Sequence, residues 1–558
     1  MKPKKWLILY PKKVTQEFSK ERILELLLEN RGASRPQGQI ALAKDQVDPE
    51  LAGIATQSLA AAIGLIQKAI RHEKKIIIYG DYDVDGLTAT AVLWEALWRQ
   101  GAKVLPFIPD RIRDGYGINP KTIRRLKKQH PDLELIITVD NGIGAHEAVA
   151  LAHDLGIQII ISDHHLAPNY LPEAEAIIHS PQLAGVGVAW FLAREFGYQD
   201  LDLVALGTVA DLLPLQGINH QLVKLGLKEL ADTRRVGLRE LMTRAGLKNK
   251  EELSSWEISF ILAPRLNAVG RLAQAIDGLR LLCADYFPQK EQLAIELASR
   301  LEQINNQRQD LMNQSFEDAQ KKVGSRLKKI LFAADESYHQ GIIGLVAGKL
   351  VEKFYRPAIV VWRGERYSKG SARSIPGCNI VELIKAAEDL LVDLGGHPMA
   401  AGFTIETENI EKFAQRIEQI AESVIEPESL IPQLKIDFEI DFSLVNKDFY
   451  QLIRGLAPFG FGNPEPTFLI RQARVVNLRV MGKQEQHLKL WLDDPQTPLV
   501  ERLVAEAIGF GWGEWSNRLL PGDLVDVVFN LGLNRWNGRE TLQLKIKDLK
   551  PSTTPGVA

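Results

Sequence analysis

Cysteine is almost missing from this chain. Its 558 residues carry two, Cys283 and Cys378, which cannot build a disulfide framework, so a reducing compartment is expected. Long apolar runs are missing too: no stretch approaches 18 uninterrupted apolar residues, and no membrane-spanning helix is expected. The N-terminus, Met1-Lys2-Pro3-Lys4-Lys5, is basic, but the apolar run behind it, Trp6 to Tyr10, is too short for a signal-peptide core. The expectation is a cytoplasmic protein. A charge excess is also lacking. Lys and Arg number 68 against 70 Asp and Glu, a net charge of −2. No global basic field advertises nucleic acid, and any anion site must be local.

What is present is ordinary globular material, 45% hydrophobic and 25% charged. At about 100–200 residues per domain, the length implies three or four domains. Residues 1–50 show no core pattern and read as an N-terminal appendage. From about residue 51 short β-branched runs alternate with helical spacing. Strands are predicted at 76–79, 104–108, 135–139 and 157–161, with a helix over 87–100. That alternation argues an α/β fold with a doubly wound parallel sheet, a first domain spanning 51–285. Residues 286–328 are charged and poor in Gly and Pro, with Leu293, Leu297, Leu301 and Ile304 at helical spacing. They read as one connecting helix stopped at Gly324, or as two shorter packed ones. A second, smaller α/β domain follows at 329–430. Residues 431–550 are mostly β and suit a small barrel, with strands near 468–480, 486–493, 523–531 and 539–547. The tail, 551–558, reads as disordered.

Five motifs carry chemistry. They are Tyr79 to Gly86 (with Asp81, Asp83 and Asp85), Arg111 to Gly117, Val139-Asp140-Asn141-Gly142, Asp163-His164-His165, and Thr208-Val209-Ala210-Asp211. Asp81, Asp140 and Asp163 each follow a predicted strand, where open α/β sheets bind ligands. A single Asp there is more often a helix cap. The set, with its histidines, points to a two-metal phosphoesterase centre. Phosphodiester hydrolysis needs charge neutralised on phosphate and an activated water, which two divalent cations supply. Asp83 and Asp85 offer two carboxylates on one loop, and Asp140 stands where one could bridge. His164 adds nitrogen, which favours Mn²⁺. Asp211 is acidic in an apolar stretch, costly unless paired or metal-bound. His165 either meets a phosphate oxygen or protonates the leaving group.

These motifs resemble the DHH phosphoesterase superfamily, in its branch of bacterial single-strand DNA exonucleases. The likeness extends over nearly the whole chain from about residue 50. It includes Pro109 to Gly117, Ala263-Pro264-Arg265-Leu266-Asn267-Ala268-Val269-Gly270-Arg271, His339 to Gly344, Gly370-Ser371-Ala372-Arg373-Ser374, Gly395 to Phe403 and the turn Pro458 to Pro466. The resemblance implies that Asp83, Asp85, Asp140, His164 and Asp211 hold two ions, Mn²⁺ or Mg²⁺, with Asp140 bridging. Related pyrophosphatases carry a His where this chain has Tyr79, so one ion lacks that ligand and Asp81 is a candidate replacement. The resemblance further implies a DHHA1 substrate-binding domain at 329–430 and a C-terminal OB-fold.

For holding the strand, residues 111–128 set seven cationic side chains against Asp114 alone. They read as a phosphate track or as a solvated helix face. Arg111, Arg265, Asn267 and Arg271, with Ser371, Arg373 and His397 from the second unit, are the candidate substrate-binding residues. Arg535, Trp536 and Arg539 suit backbone binding and base stacking, while Trp512 and Trp515 read more readily as core. The function implied is a 5′→3′ single-stranded-DNA exonuclease, probed next to a phosphodiesterase for short oligonucleotides or cyclic dinucleotides and to an inactive DNA-binding scaffold. The implied partners are single-stranded DNA, a helicase and a single-strand-binding protein, around a monomer.

Overall fold

The N-terminal residues do not stand apart. The computed structural model describes residues 4–32, 47–111, 113–248, 250, 252–498, 500, 502–536 and 539–552. In it strand β1 (Lys5–Val14) pairs in parallel with a strand at Gln433–Ile440. The helix Lys20–Glu29 buries Ile23, Leu26 and Leu27 in the same C-terminal core. The expected appendage at 1–50 is therefore corrected: its described first part is a strand and helix of the C-terminal unit. A ten-residue strand that needs a partner more than 400 residues away leaves little local trace.

The first α/β sheet contains β2 (Lys75–Tyr79), β3 (Val104–Phe107), β4 (Leu133–Val139), β5 (Gln158–Asp163) and β6 (Ala176–His179), all parallel, in the order β3-β2-β4-β5-β6. Strand β6, Ala176-Ile177-Ile178-His179, escaped the sequence pattern. Ile76, Ile77 and Ile78 are all buried, since helices cover both faces. The strand order reverses at β2, whose neighbours are β3 on one side and β4 on the other. The crevice beyond the carboxyl ends of β2 and β4 is thus the topological switch point, the usual ligand position in such sheets.

The connecting segment is one helix, Lys290–Val323, of 34 residues and about 51 Å, ending at Gly324 with φ of 74°. Its first half packs on the helices Val236–Arg244 and Ala263–Leu272. Its second half packs on Ile343–Phe354 through Phe316 and Ala319. The second α/β sheet holds β7 (Leu331–Asp335), β8 (Ala358–Trp362), β9 (Tyr367–Arg373), β10 (Leu391–His397) and β11 (Ala400–Glu406), ordered β10-β11-β9-β8-β7, with only β7 and β8 parallel.

The described residues within 1–42, 214–221 and 433–558 form the C-terminal unit. Beside β1 it contains β12 (Gln433–Ile440), β13 (Phe468–Met481), β14 (His487–Asp493), β15 (Val504–Gly509), β16 (Leu524–Trp536) and β17 (Arg539–Pro551). Pairing of β13 with both β14 and β16 closes β13–β17 into a five-stranded barrel. Trp512 is buried in its core with Trp515 packed on it, ring centroids 5.4 Å apart. The side chains of Arg535, Trp536 and Arg539, and residues 553–558 of the expected disordered tail, lie outside the described residues. Both cysteines are free. Among the described residues no helix is long and apolar enough to cross a membrane.

Candidate metal centre

Beyond the ends of β2, β4 and β5 the acidic motifs converge. His164 Nε2 stands 3.1 Å from Asp140 Oδ1, 3.5 Å from Asp211 Oδ2 and 3.8 Å from Asp85 Oδ2. Three ligand sets have donor atoms within 4.8 Å of one another: Asp85 with His164 and Asp211, Asp81 with Asp83 and Asp140, and Asp140 with His164 and His165. Asp140 is shared between sets, as a bridging carboxylate would be. It also sits at φ of 63°, a left-handed conformation that Asp tolerates better than most residues and that often marks a functional site.

Local structure holds each group. Asp83 caps the helix Val84–Arg99 through the Gly86 amide at 3.1 Å. Asp85, in that helix's first turn, accepts from the Gly185 and Val186 amides at 2.6 and 2.8 Å. These amides open the helix Gly185–Arg194, a helix N-terminus aimed at a buried carboxylate. Close packing demands glycine here. A Cβ on Gly185 would lie 2.5 Å from Asp140 Cβ, and one on Gly86 would lie 2.6 Å from Asp81 Cβ. Asp211 follows the helix Asp202–Ala210 directly.

Asp163 is an orienting group rather than a ligand. Its Oδ1 accepts from the His164 and His165 amides at 2.7 and 3.2 Å and faces His165 Nδ1 at 2.7 Å. Its Oδ2 accepts from Ile143 N at 2.9 Å. His165 Nε2 then meets the Tyr116 hydroxyl at 3.0 Å. Asn141 ties the β2 and β4 ends together: its Nδ2 donates to the Tyr79 and Val139 carbonyls while its Oδ1 accepts from Ile118 N. Tyr79 is buried against Phe107 and its hydroxyl donates to the Gly117 carbonyl at 3.0 Å. It is a packing residue, and Asp81 supplies an oxygen to the set instead.

The electrostatics call for a cation. Asp81, Asp85 and Asp140 are buried. Burial, reinforced by neighbouring carboxylates, pushes Asp81 up to about 8 and Asp211 to about 7, and drives Asp85 and Asp140 well above the carboxylate range. Burial lowers His164 to about 4, so its imidazole is neutral and able to ligate. Burial opposes protonation of His165, but the Asp163 carboxylate outweighs it and raises the ring above its ordinary value. Among the described residues no Lys or Arg forms an ion pair with Asp81, Asp83, Asp85, Asp140 or Asp211. Buried Asp81 Oδ1 and Asp140 Oδ1 have no hydrogen-bond partner. Orphaned carboxylate oxygens facing a neutral imidazole fit hard divalent cations.

The predicted substrate-binding residues divide into two groups. Arg111, Arg271 and Arg373 come close enough for their charges to oppose one another, and Arg308 from the long helix joins them. Arg271 Nη1 also donates to the Gly341 carbonyl at 3.3 Å, and Arg373 Nη1 to Ser371 Oγ at 3.2 Å. Arg111 lies over the Tyr82 ring at 5.2 Å. His397 shares a register row with Ala400 and Arg373, one strand between them, so about 10 Å separates their backbones. By contrast, the Arg265 fork is taken up by Glu302 at 2.6 and 3.1 Å. Asn267 Oδ1 accepts from Val84 N at 3.2 Å and so positions the metal loop. The basic run is mostly satisfied locally: Arg113 and Arg125 both grip Asp114, and Lys127 donates to the Leu133 carbonyl. Arg308, Tyr116 and the Gly185-Val186 amides escaped sequence reasoning. Arg308 sits in a polar helix with nothing local to mark it, while glycines opening an apolar run were the readable sign of the amide pair.

Comparison with known proteins gives the chain's family and fold. Residues 75–212 match the model of the DHH family N-terminal domain, 327–423 that of the DHHA1 domain, and 436–548 that of the RecJ OB domain. The single-stranded-DNA-specific exonuclease RecJ of Bacillus subtilis is 37% identical over 88% of this chain, which spans 63% of that protein's length. That of Salmonella typhimurium is 32% identical over 88% of this chain and 90% of its own length. That of Thermus thermophilus is 34% identical over 92% and 74%. The crystal structure of the Thermus protein with Mn²⁺ superposes with a TM-score of 0.80 at 29% identity, covering 99% of this chain and 80% of that one. Its Mg²⁺ complex gives 0.74 at 27% identity, covering 99% and 79%.

Proposed function

The chain belongs to the RecJ family of single-stranded-DNA-specific exonucleases, and from that premise we propose that it removes mononucleotides from single-stranded DNA in the 5′→3′ direction, in DNA repair and recombination. The observation that carries this reading is the convergence of Asp81, Asp83, Asp85, Asp140, Asp211 and His164 at the switch point. They would hold two divalent cations, Mn²⁺ or Mg²⁺. When bound, such ions neutralise phosphate charge and activate water for in-line attack on phosphorus.

The chain's own residues do the rest. Arg111, Arg271, Arg308 and Arg373, with Ser371, form a fork-rich cationic surface across the two α/β domains, suited to phosphate oxygens. Asp163 orients His165 and keeps a proton on its ring. With Nδ1–H held by Asp163, the leaving 3′ oxygen receives the second proton of the imidazolium, the one on His165 Nε2 beside Tyr116, and the ring is left neutral with its Nδ1 proton. The family's C-terminal OB match favours long strands over dinucleotides. The site of action is the cytoplasm, next to a helicase and a single-strand-binding protein, with the enzyme as a monomer.

The test uses end-labelled single- and double-stranded DNA with Mn²⁺ or Mg²⁺. Single strands are degraded, a 5′ label is released first as mononucleotide, and Asp140→Ala abolishes hydrolysis while strand binding persists. Unchanged cleavage by Asp140→Ala removes the assignment.

A further inference from the structure

Two large aromatic rings stand in solvent on the helical segment whose Asn267 holds the Val84 amide of the metal loop. Trp256 is 55% exposed and Phe260 66%, with ring centroids 5.6 Å apart and planes inclined by 32°. The opposite side of the segment is core, since Ile258, Leu262 and Leu266 are buried completely. The turn bearing Trp256 is fixed: Ser254 and Glu257 cap one another reciprocally, and Lys250 pairs with Glu257. Between the rings and the helix Ala263–Leu272 runs a π-helical stretch, Ile258–Leu262, a wide turn that is rare and frequently found at functional sites.

Beside half-buried 259, 261 and 265, partly accessible positions recur at near-helical spacing: 256 and 260 exposed, then 264, 267 and 271 half-buried. The last two belong to the site already described: Asn267 holds the Val84 amide, and Arg271 sits among the guanidinium groups. At 1.5 Å per residue Phe260 lies about 10 Å before Asn267 along the axis. The two rings are therefore continuous with the phosphate-binding surface and a short strand's length from it.

We propose that Trp256 and Phe260 are a stacking platform for nucleobases of the single strand, a few nucleotides from the cleaved phosphate, an inference that rests on the nuclease reading above. Stacking demands a π face and no particular hydrogen-bond pattern, so it accepts any sequence, as an exonuclease must. A duplex keeps its base faces covered, so the platform also favours single strands. Two bulky rings side by side in water form an unusual apolar patch, and its connection with a cationic phosphate surface identifies nucleic acid as the occupant.

The test compares the full-length chain with Trp256→Ala, Phe260→Ala and Trp256→Phe. Affinity for a 5′-labelled single-stranded 12-mer is read in the Asp140→Ala background, and kcat/KM for a 12-mer and a dinucleotide in the otherwise unaltered protein. Each alanine variant is expected to weaken 12-mer affinity about tenfold, with the slope of log affinity against log salt unchanged because no cation is lost. The kcat/KM advantage of the 12-mer over the dinucleotide falls by a similar factor, and Trp256→Phe restores most of both. Unchanged 12-mer affinity overturns the proposal, as does a Phe variant as weak as Ala. Absence of hydrolysis of any strand by the unaltered protein would instead overturn the nuclease reading.

Discussion

Removing divalent cations makes the folded chain lose stability as pH rises, in a range where most proteins are indifferent. Without a cation, burial and mutual repulsion hold the proton on Asp81 up to about pH 8 and on Asp211 up to about pH 7, against about 4 in an unfolded chain. Between about pH 6.5 and 8.5 the folded state therefore keeps protons that the unfolded state has already released. Stability falls with pH wherever the unfolded state binds fewer protons. One pKa unit is worth about 1.4 kcal/mol, so Asp81 contributes about 2 kcal/mol over this window and Asp211 about 0.7 kcal/mol. Asp85 and Asp140, held well above the carboxylate range, and His165, also raised, act with the same sign. His164, lowered to about 4, acts with the opposite sign, but all except about 0.4 kcal/mol of its change is over by pH 6.5. Thermal melts in chelator at pH 6.5, 7.5 and 8.5 should show Tm falling by a few degrees. Saturating Mn²⁺ ionises the carboxylates in the folded state, so the ion's stabilising effect grows with pH. A chelated protein with constant Tm across this range, or an ion effect equal at pH 6.5 and 8.5, would refute the reasoning.

Three further outcomes are expected. Gly185→Ala forces a methyl against Asp140 Cβ, at 2.5 Å before any adjustment, and should lower Mn²⁺ affinity and kcat at least tenfold while the fold survives, as calorimetry and circular dichroism would read. Arg235→Leu leaves buried Glu95 and Asp202 without their shared guanidinium and should cost about 3–5 kcal/mol in denaturant midpoint-derived stability. Strand binding should weaken steeply with salt. Four phosphates met by Arg111, Arg271, Arg308 and Arg373 give a log–log slope of about −3 and roughly a fiftyfold loss between 50 and 200 mM, and a flat titration would exclude a phosphate-led interface.

Much of the catalytic sheet was legible because parallel strands buried on both faces show as unbroken β-branched runs, as at Ile76 to Ile78 and Ile159 to Ile161. The long helix was legible from its apolar spacing and from Gly324 at its end. Strand β15 was not, since Val504 to Gly509 carries Glu506 and two alanines in place of a strand signature. Strand β1 was not either, because its partner β12 lies at the other end of the chain. Among candidate ligands the residue types spoke clearly: Asp and His after strands are costly to bury without a cation. Arg265 shows the limit of such reading, since a guanidinium suited to phosphate is equally suited to Glu302, and only proximity chose between them.

The order of residues alone determined which side chains follow which strands, and so the chemistry of the centre: carboxylates, hard oxygen ligands for hard ions, with one imidazole among them. Folding decided the rest. It reversed the strand order at β2, brought Asp140 and Asp211 to the same imidazole, turned a helix N-terminus toward Asp85, and set Arg308 beside Arg271. The reason is physical: a ligand's identity is local to its residue, whereas a distance of 3 Å between residues tens to hundreds of positions apart exists only once the core has packed around it.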